Sequence, residues 1–230
     1  MELQHLHDWD LTPSAAIALQ KRLVSQVIYN RPLNIDAIRF VAGVDVSVKG
    51  EMSQAAVVVL RFPELEPVEI VRHQMPTPFP YIPGLLTFRE GPVLVEAFRK
   101  LKCEPDIFIF DGMGRIHPRR IGIACHMGLW LQRPTIGCGK TWFIGQFKEP
   151  PQERGAYSPL TDHDEEIGVV LRTRANVKPV FISVGHLADL SSSVDLVMRC
   201  TRNVRLPEPI RQAHHAAGEF LIPQNTEEGD

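Results

Sequence analysis

Three runs rich in β-branched residues follow one another closely: Ile38 to Val48, Ala55 to Phe62, and Val68 to Met75. Side chains of this kind suit a pleated, half-buried surface. A connection as short as Lys49-Gly50-Glu51 cannot house a crossover helix, so the runs are expected to form an antiparallel meander. Upstream, Thr12 caps and Pro13 opens a helix whose apolar residues Ala16, Leu19, Leu23, Val24, Val27 and Ile28 recur at helical spacing until Arg31-Pro32 stops them.

Downstream of the meander the pattern changes. A proline-broken loop (Pro76, Pro78, Pro80, Pro83) leads into a helical run from Leu85 to Leu101, and Asp106 to Phe110 then reads as a short apolar strand ending at Asp111-Gly112. Pro118 opens a further helix through Leu131, Pro134 to Cys138 is a strand, and 145–164 is a polar loop or hairpin. Strands Ile167 to Arg172 and Pro179 to Val184 follow, then helices over about 190–201 and 207–219, and the tail Asn225 to Asp230 is expected to fray. Three antiparallel strands, then helix, strand, helix, strand and further helices, is the element order of a ribonuclease-H-like α/β fold: a mixed sheet with antiparallel strands first and parallel strands after, flanked by helices. With 230 residues, 44% of them hydrophobic, and neither internal repeats nor a low-complexity linker, the whole chain 1–230 is expected to form one domain.

Several classes of function fall away. There is no run of eighteen apolar residues, and the start Met1-Glu2-Leu3-Gln4-His5-Leu6-His7-Asp8 lacks the basic and apolar regions of a signal peptide, so no membrane partner and a cytoplasmic location are expected. Cys103, Cys125, Cys138 and Cys200 form no C-x-x-C pair and read as reduced, mostly buried thiols. The formal net charge of −2 neither demands nor excludes a polyanionic partner, so a nucleic-acid site must be a local patch. Arg115, Arg119 and Arg120 flank His117, and Arg199, Arg202, Arg205 and Arg211 crowd a late segment; taken alone, such clusters are more often solvated faces.

The acidic residues say more. Asp45 lies inside the apolar strand Phe40-Val41-Ala42-Gly43-Val44-Asp45-Val46-Ser47-Val48, where an unpaired carboxylate is costly to bury. Asp111 ends the strand Ile107-Phe108-Ile109-Phe110, at the carboxyl edge where open α/β sheets carry their sites. On parallel neighbouring strands the two carboxylates could reach one hard cation. Glu90, within Leu86-Thr87-Phe88-Arg89-Glu90-Gly91-Pro92, is the natural third. Each alone is commonly a cap or an ion-pair partner; together they point to magnesium, which takes few carboxylates, keeps waters and shares phosphate oxygens with a substrate. Gly139-Lys140-Thr141 resembles the end of a phosphate-binding loop, but Pro134 stands where its first glycine belongs. H-E-x-x-H, paired C-x-x-C and G-x-S-x-G are all missing, which argues against a zinc site and a serine nucleophile.

At this point the chain resembles a known family. Val41-Ala42-Gly43-Val44-Asp45-Val46-Ser47, Pro80-Tyr81-Ile82-Pro83-Gly84-Leu85-Leu86-Thr87-Phe88-Arg89-Glu90, Asp111-Gly112-Met113-Gly114-Arg115-Ile116-His117-Pro118-Arg119-Arg120, Pro134-Thr135-Ile136-Gly137 with Lys140, Ser183-Val184-Gly185-His186, and Arg205-Leu206-Pro207-Glu208-Pro209-Ile210-Arg211 with His214 are similar to endonuclease V over roughly residues 40 to 215. The second and third strings are long and unusual enough to be close to diagnostic. The resemblance implies a monomeric DNA-repair enzyme that hydrolyses the second phosphodiester bond 3′ to deoxyinosine and leaves 3′-hydroxyl and 5′-phosphate ends. It implies Asp45, Glu90 and Asp111 as ligands of Mg2+, with Mn2+ able to substitute, His214 assisting the water, and Lys140 by the scissile phosphate. Pro80-Tyr81-Ile82-Pro83 would be a wedge filling the gap of an extruded base, a use that rigid prolines and an aromatic–aliphatic pair suit. Gly84, Leu86, Gly112 and His117 would line the pocket for that base. Inosine offers an O6 acceptor and an N1–H donor without a 2-amino group, so a tight pocket could refuse guanine by crowding and adenine by mismatched hydrogen bonds.

The chain departs from the family pattern at Val48-Lys49, Met113, Cys125 and Gly139. None of these removes a proposed ligand, and Met113 borders the proposed base pocket, so the departures bear on substrate preference. His186, after a strand and a glycine, reads as a structural or supporting hydrogen-bonder, and His126, among apolar helical residues, as a satisfied core histidine. Two alternatives stay open at this level: inosine-containing RNA as the main substrate, and a non-catalytic reader of deaminated nucleic acid.

Overall fold

The computed structural model describes residues 1–220; the Asn225–Asp230 tail expected to fray lies outside them. The chain runs α1 (Pro13–Leu23), β1 (Phe40–Lys49), β2 (Met52–Arg61), β3 (Glu66–Pro76), α2 (Leu86–Arg99), β4 (Ile107–Phe110), α3 (Ile123–Leu131), β5 (Thr135–Gly139), β6 (Gln146–Phe147), β7 (Tyr157–Asp162), β8 (Glu165–Leu171), β9 (Val180–Val184), α4 (Leu190–Arg199) and α5 (Glu208–Gly218). Among the described residues the strands form one sheet in the order β3-β2-β1-β4-β5-β9-β8-β7-β6. The first three pair antiparallel, as the meander required, while β1, β4 and β5 pair parallel at the centre. The remaining strands add antiparallel. This is the mixed α/β sheet flanked by helices that the element order predicts.

Strand alternation sorts the core into two layers. Val41, Ile107, Ile109 and Ile136 face α4 and α5, with Leu196, Val197, Ile210 and Ala213 packed on them. Ala42, Val44, Phe108 and Phe110 face α2 and α3, where Leu94, Phe98, Met127 and Trp130 close the second layer. The same two-residue period carries Asp45 and Asp111, the next outward steps of β1 and β4, to the α5 side.

Two helices differ from their sequence expectation. The α1 pattern continues to Ile28, yet the helix ends at Leu23 and one 3-10 turn follows, because the Ile28 amide donates to His186 Nδ1 (3.2 Å). Helix α3 begins at Ile123 and not at Pro118. Arg120 sits in the left-handed region (φ 57°), and a Cβ on Gly122 would lie 2.3 Å from the Met113 carbonyl oxygen, so 112–122 is a loop folded back on itself. The polar 145–164 segment becomes β6 and β7, which with β8 extend the sheet. No helix among the described residues is long and apolar enough to cross a membrane. All four cysteines are free, with Cys103 half-buried and the others buried.

Candidate active site

The β1–β4 register pairs Val44 with Phe110, and the Asp111 amide donates to the Val44 carbonyl (2.8 Å). Asp45 and Asp111 are therefore neighbours at the carboxyl ends of parallel strands. Their third companion comes from α5, whose placement depends on Gly43: a Cβ there would stand 1.9 Å from the Pro209 carbonyl oxygen, so only glycine lets the start of the helix lie on the strand. One turn along, His214 Nδ1 is 2.7 Å from Asp45 Oδ2 and 3.9 Å from Asp111 Oδ2. Lys140, just past β5, pairs its ammonium with Asp111 and lies 3.1 Å from the same His214 Nδ1. One ring nitrogen cannot accept from Lys140 and donate to Asp45 at once, so these two contacts are alternatives set by the imidazole's protonation.

The electrostatics of this cluster are unfavourable to its acids. Burial, then the Asp111 charge, raises the Asp45 carboxyl to about 6, although His214 and Lys140 pull the other way. Glu90 on α2 keeps some solvent contact as a residue, but its carboxyl is set deep among protein atoms; burial, then the charges of Asp45 and Asp111, pushes it up to about 8. Ligand atoms of Asp45, Asp111 and His214 all lie within 4.8 Å of one another. Glu90 falls outside that tight set, yet near enough to feel both aspartates. Crowded hard oxygen donors whose ionised forms repel one another are what a small divalent cation would relieve, so the residues present fit such an ion.

Beside the acids opens a cavity of about 500 Å3. Asp111 and Lys140 stand at one end, and Gly84, Leu86, Gly112 and His117 line it as expected; of the proposed wedge, Tyr81, Ile82 and Pro83 reach it, whereas Pro80 is exposed outside it. The 80–84 loop is pinned from beneath. Arg89 donates to the Phe79 carbonyl (2.8 Å), and the Gly84 carbonyl accepts from Gln20 Nε2 (3.0 Å), His117 Nε2 (3.0 Å) and Arg119 Nη2 (2.8 Å). Gly84 holds φ +79°, where a Cβ would also stand 2.7 Å from Arg119 Nη2. Because His117 Nδ1 accepts from the Arg119 amide (3.1 Å), its proton is on Nε2, and burial lowers its pKa to about 4. His117 is thus a neutral wall of the cavity with both nitrogens already engaged.

Met113 lines the cavity, as its place in the loop suggested, and so do Thr87, Ile123, Trp142 and Phe143, which the sequence reading missed. The only signal for the last two was a pair of aromatics directly after Gly139-Lys140-Thr141 in a polar loop. The two arginine clusters differ: Arg115, Arg119 and Arg120 are buried or half-buried, whereas Arg199, Arg202 and Arg211 lie on a solvated face, as expected for the late segment. Arg115 and Arg120 pair with Glu165, Arg120 also with Asp162, Arg199 with Asp195, and Arg211 with Glu208. Arg205 donates to the carbonyls of Lys178 (2.9 Å), Pro179 (2.8 Å) and Lys140, which fixes the segment bearing the lysine. His186 is structural, its ring receiving the Ile28 amide. His126 is a core residue but only half satisfied: Nε2 meets His7 Nε2 at 2.7 Å, and Nδ1 is buried without a partner.

Known proteins resemble this one along nearly the whole chain. The endonuclease V family model matches residues 21–215. Endonuclease V of Methanothrix thermoacetophila is 46% identical over 214 residues, covering 93% of this chain and 94% of its own. The crystal structure of the Bacillus subtilis endonuclease V superposes with a TM-score of 0.91 at 33% identity, covering 95% of this chain and 96% of that one. The Ciona intestinalis endonuclease V, solved in complex with a DNA 24mer containing an inosine followed by a ribo-adenosine, gives 0.78 at 26% identity, covering 89% and 95%. The chain belongs to the endonuclease V family of nucleases.

Proposed function

We propose that this chain is a magnesium-dependent endonuclease that cuts a strand at the second phosphodiester bond 3′ to deoxyinosine, leaving 3′-hydroxyl and 5′-phosphate ends. The observation that carries the reading is the meeting of Asp45, Asp111 and His214 beside a cavity that Asp111 itself lines and the Tyr81 loop borders. The Ciona relative held inosine-containing DNA, which supports a deaminated purine as the occupant.

Asp45, Asp111 and Glu90 would hold Mg2+, or Mn2+ in its place, which supplies charge neutralisation at the phosphate and acidifies a bound water. The chain's own residues do the rest. His214, oriented by the hydrogen bond from its Nδ1 to Asp45, accepts a proton from the attacking water at Nε2. Lys140 exchanges its Asp111 partner for a non-bridging phosphate oxygen and steadies the charge that accumulates there. Tyr81 and Ile82 fill the gap in the stack, while the base enters between Leu86, Gly112 and the neutral His117. With its ring nitrogens engaged, His117 excludes by shape, and discrimination falls to backbone groups of the Gly84 and Gly112 segments.

The test is a nicking assay with magnesium on a duplex carrying one inosine, with wild type and Asp111→Ala in parallel. One nick by the wild type, and near-complete loss in the variant with binding retained, is the expected result. No cut, or equal cutting of an inosine-free duplex, refutes the reading. A second reading, inosine-containing RNA as main substrate, is favoured by the ribo-adenosine that the Ciona protein accommodates. Matched DNA and RNA strands decide it, and RNA cleavage faster by about tenfold or more would make the 2′-hydroxyl part of recognition.

A further inference from the structure

Two aromatic side chains flank the mouth of the cavity with their rings uncommitted. Tyr81 is 69% exposed and Trp142 57% exposed, and among the described residues no other ring stacks on either. Tyr81 belongs to the loop assigned as a wedge. Trp142 lines the cavity but takes no part in the acid cluster or the wedge. Its Nε1 donates to the Gly145 carbonyl (3.0 Å), and Gly145 is held at φ +87° against β7, where a Cβ would lie 2.6 Å from Leu160. The indole is therefore oriented by a fixed turn although its faces are open to solvent. Its neighbour Phe143 is half-buried and lies tilted against His117 (6.2 Å between ring centroids), so of the two aromatics Phe143 is the inner wall and the more exposed Trp142 the outer platform.

Position along the chain gives the platform its address. Trp142 is two residues from Lys140, so their Cα atoms are at most about 7.6 Å apart. Lys140 in turn is paired with Asp111 at the acid end of the cavity. Under the proposed reaction, cutting at the second 3′ bond places one whole nucleotide between the extruded base and the cleaved phosphate. That nucleotide must cross the space between the cavity and the acids, beside Trp142.

We infer that Trp142 is a substrate-positioning residue whose indole stacks on the base of the nucleotide immediately 3′ to the lesion, setting the one-nucleotide offset between recognition and cleavage. The inference rests on the nuclease reading for its register, while the stacking itself does not depend on cleavage. Stacking is tolerant of sequence because every base offers a π-face, and it favours larger faces, so a purine at this position should be processed at lower KM than a pyrimidine.

Two measurements test it. In single-turnover nicking, Trp142→Ala should weaken apparent substrate affinity by on the order of tenfold while Trp142→Phe stays within about threefold of wild type. Replacing the base after inosine by an abasic residue should erase the difference between wild type and Trp142→Ala, since both then lack one partner of the contact. Equal affinities for wild type and Trp142→Ala on the intact strand, or an equal penalty with and without that base, overturns the inference. The second measurement needs no cleavage. Trp9 and Trp130 stack on each other in a separate cluster, so in metal-free buffer an inosine-containing single strand should quench the fluorescence of wild type but not of Trp142→Phe. Quenching without nicking by the wild type would keep the stacking and remove the proposed reaction; nicking without Trp142-dependent quenching would do the reverse.

Discussion

At the scale of single residues, Glu90 carries the sharpest consequence. Its carboxyl titrates near 4.5 in an unfolded chain and at about 8 in the fold. Between those values the unfolded state has released the proton and the folded state keeps it, so unfolding releases a proton and stability falls as pH rises through this window. Asp45, raised to about 6, adds in the same direction over the lower part of the range. Glu90→Gln removes a proton that can be lost while keeping the shape. In chelator-treated protein the melting temperature of Glu90→Gln relative to wild type should therefore climb from about pH 5 to about pH 8 and then level off. A difference that stays flat across that range removes Glu90 as the strained acid. Millimolar magnesium should raise the wild-type melting temperature at the upper pH and leave Glu90→Gln nearly unchanged. The paired aspartates were legible in the sequence because β alternation and the carboxyl ends of apolar strands are local patterns. His214 and Lys140 came only through the family likeness: an exposed histidine on a late helix carries no local mark of the strand it will meet.

At the scale of elements, Gly43 joins the sheet to α5. Gly43→Ala would drive a methyl into the Pro209 carbonyl, and neither backbone can yield without moving the helix that carries His214. Overpacking of this kind costs about 1–3 kcal/mol, and here it should also displace the histidine from Asp45. Denaturant unfolding and nicking on the same sample should show both losses. A variant that is destabilised but cleaves at the wild-type rate would uncouple the helix position from the chemistry. The meander, β4, β5 and α2 were readable from periodicity and breakers. The start of α3 was not, because Pro118 is a good helix opener locally and the obstacle, carbonyl oxygens of Met113 and Gly114 packed against Gly122, is tertiary. Nor could the 145–164 segment reveal that β6, β7 and β8 would prolong the same sheet beyond β9, since register between distant strands is decided by partners and not by local propensity.

At the scale of the whole molecule, the amino-terminal segment and the balance of charge each give an expectation. Trp9 stacks on Trp130 with ring centroids 5.3 Å apart and lies over Gly91, sealing the α2–α3 layer from outside. Trp9→Ala should cost about 2–4 kcal/mol. At roughly 2–4 °C per kcal/mol for a chain of this size, calorimetry should resolve it easily. Charge acts differently. The formal net charge is −2, and Arg115 and Arg120, the arginines of the His117 loop that pair with Glu165, together with Arg172, Arg199 and Arg211, are bound to carboxylates, so these five are not free to neutralise phosphates. Each phosphate neutralised on a single strand contributes about −0.7 to the slope of log affinity against log salt. With Lys140 and one or two further cations engaged, the slope should be near −2, and binding of an inosine strand should weaken by roughly tenfold between about 50 and 200 mM salt. A protein relying on six phosphate contacts would lose about three hundredfold over the same range. Titrating metal-free protein with a labelled inosine strand across that series separates the cases. The steep slope would mean that many cations besides Lys140 meet the strand. The shallow slope would leave the apolar cavity and its aromatic rim as the main source of affinity, as expected for an enzyme that recognises one base and does not track along the backbone.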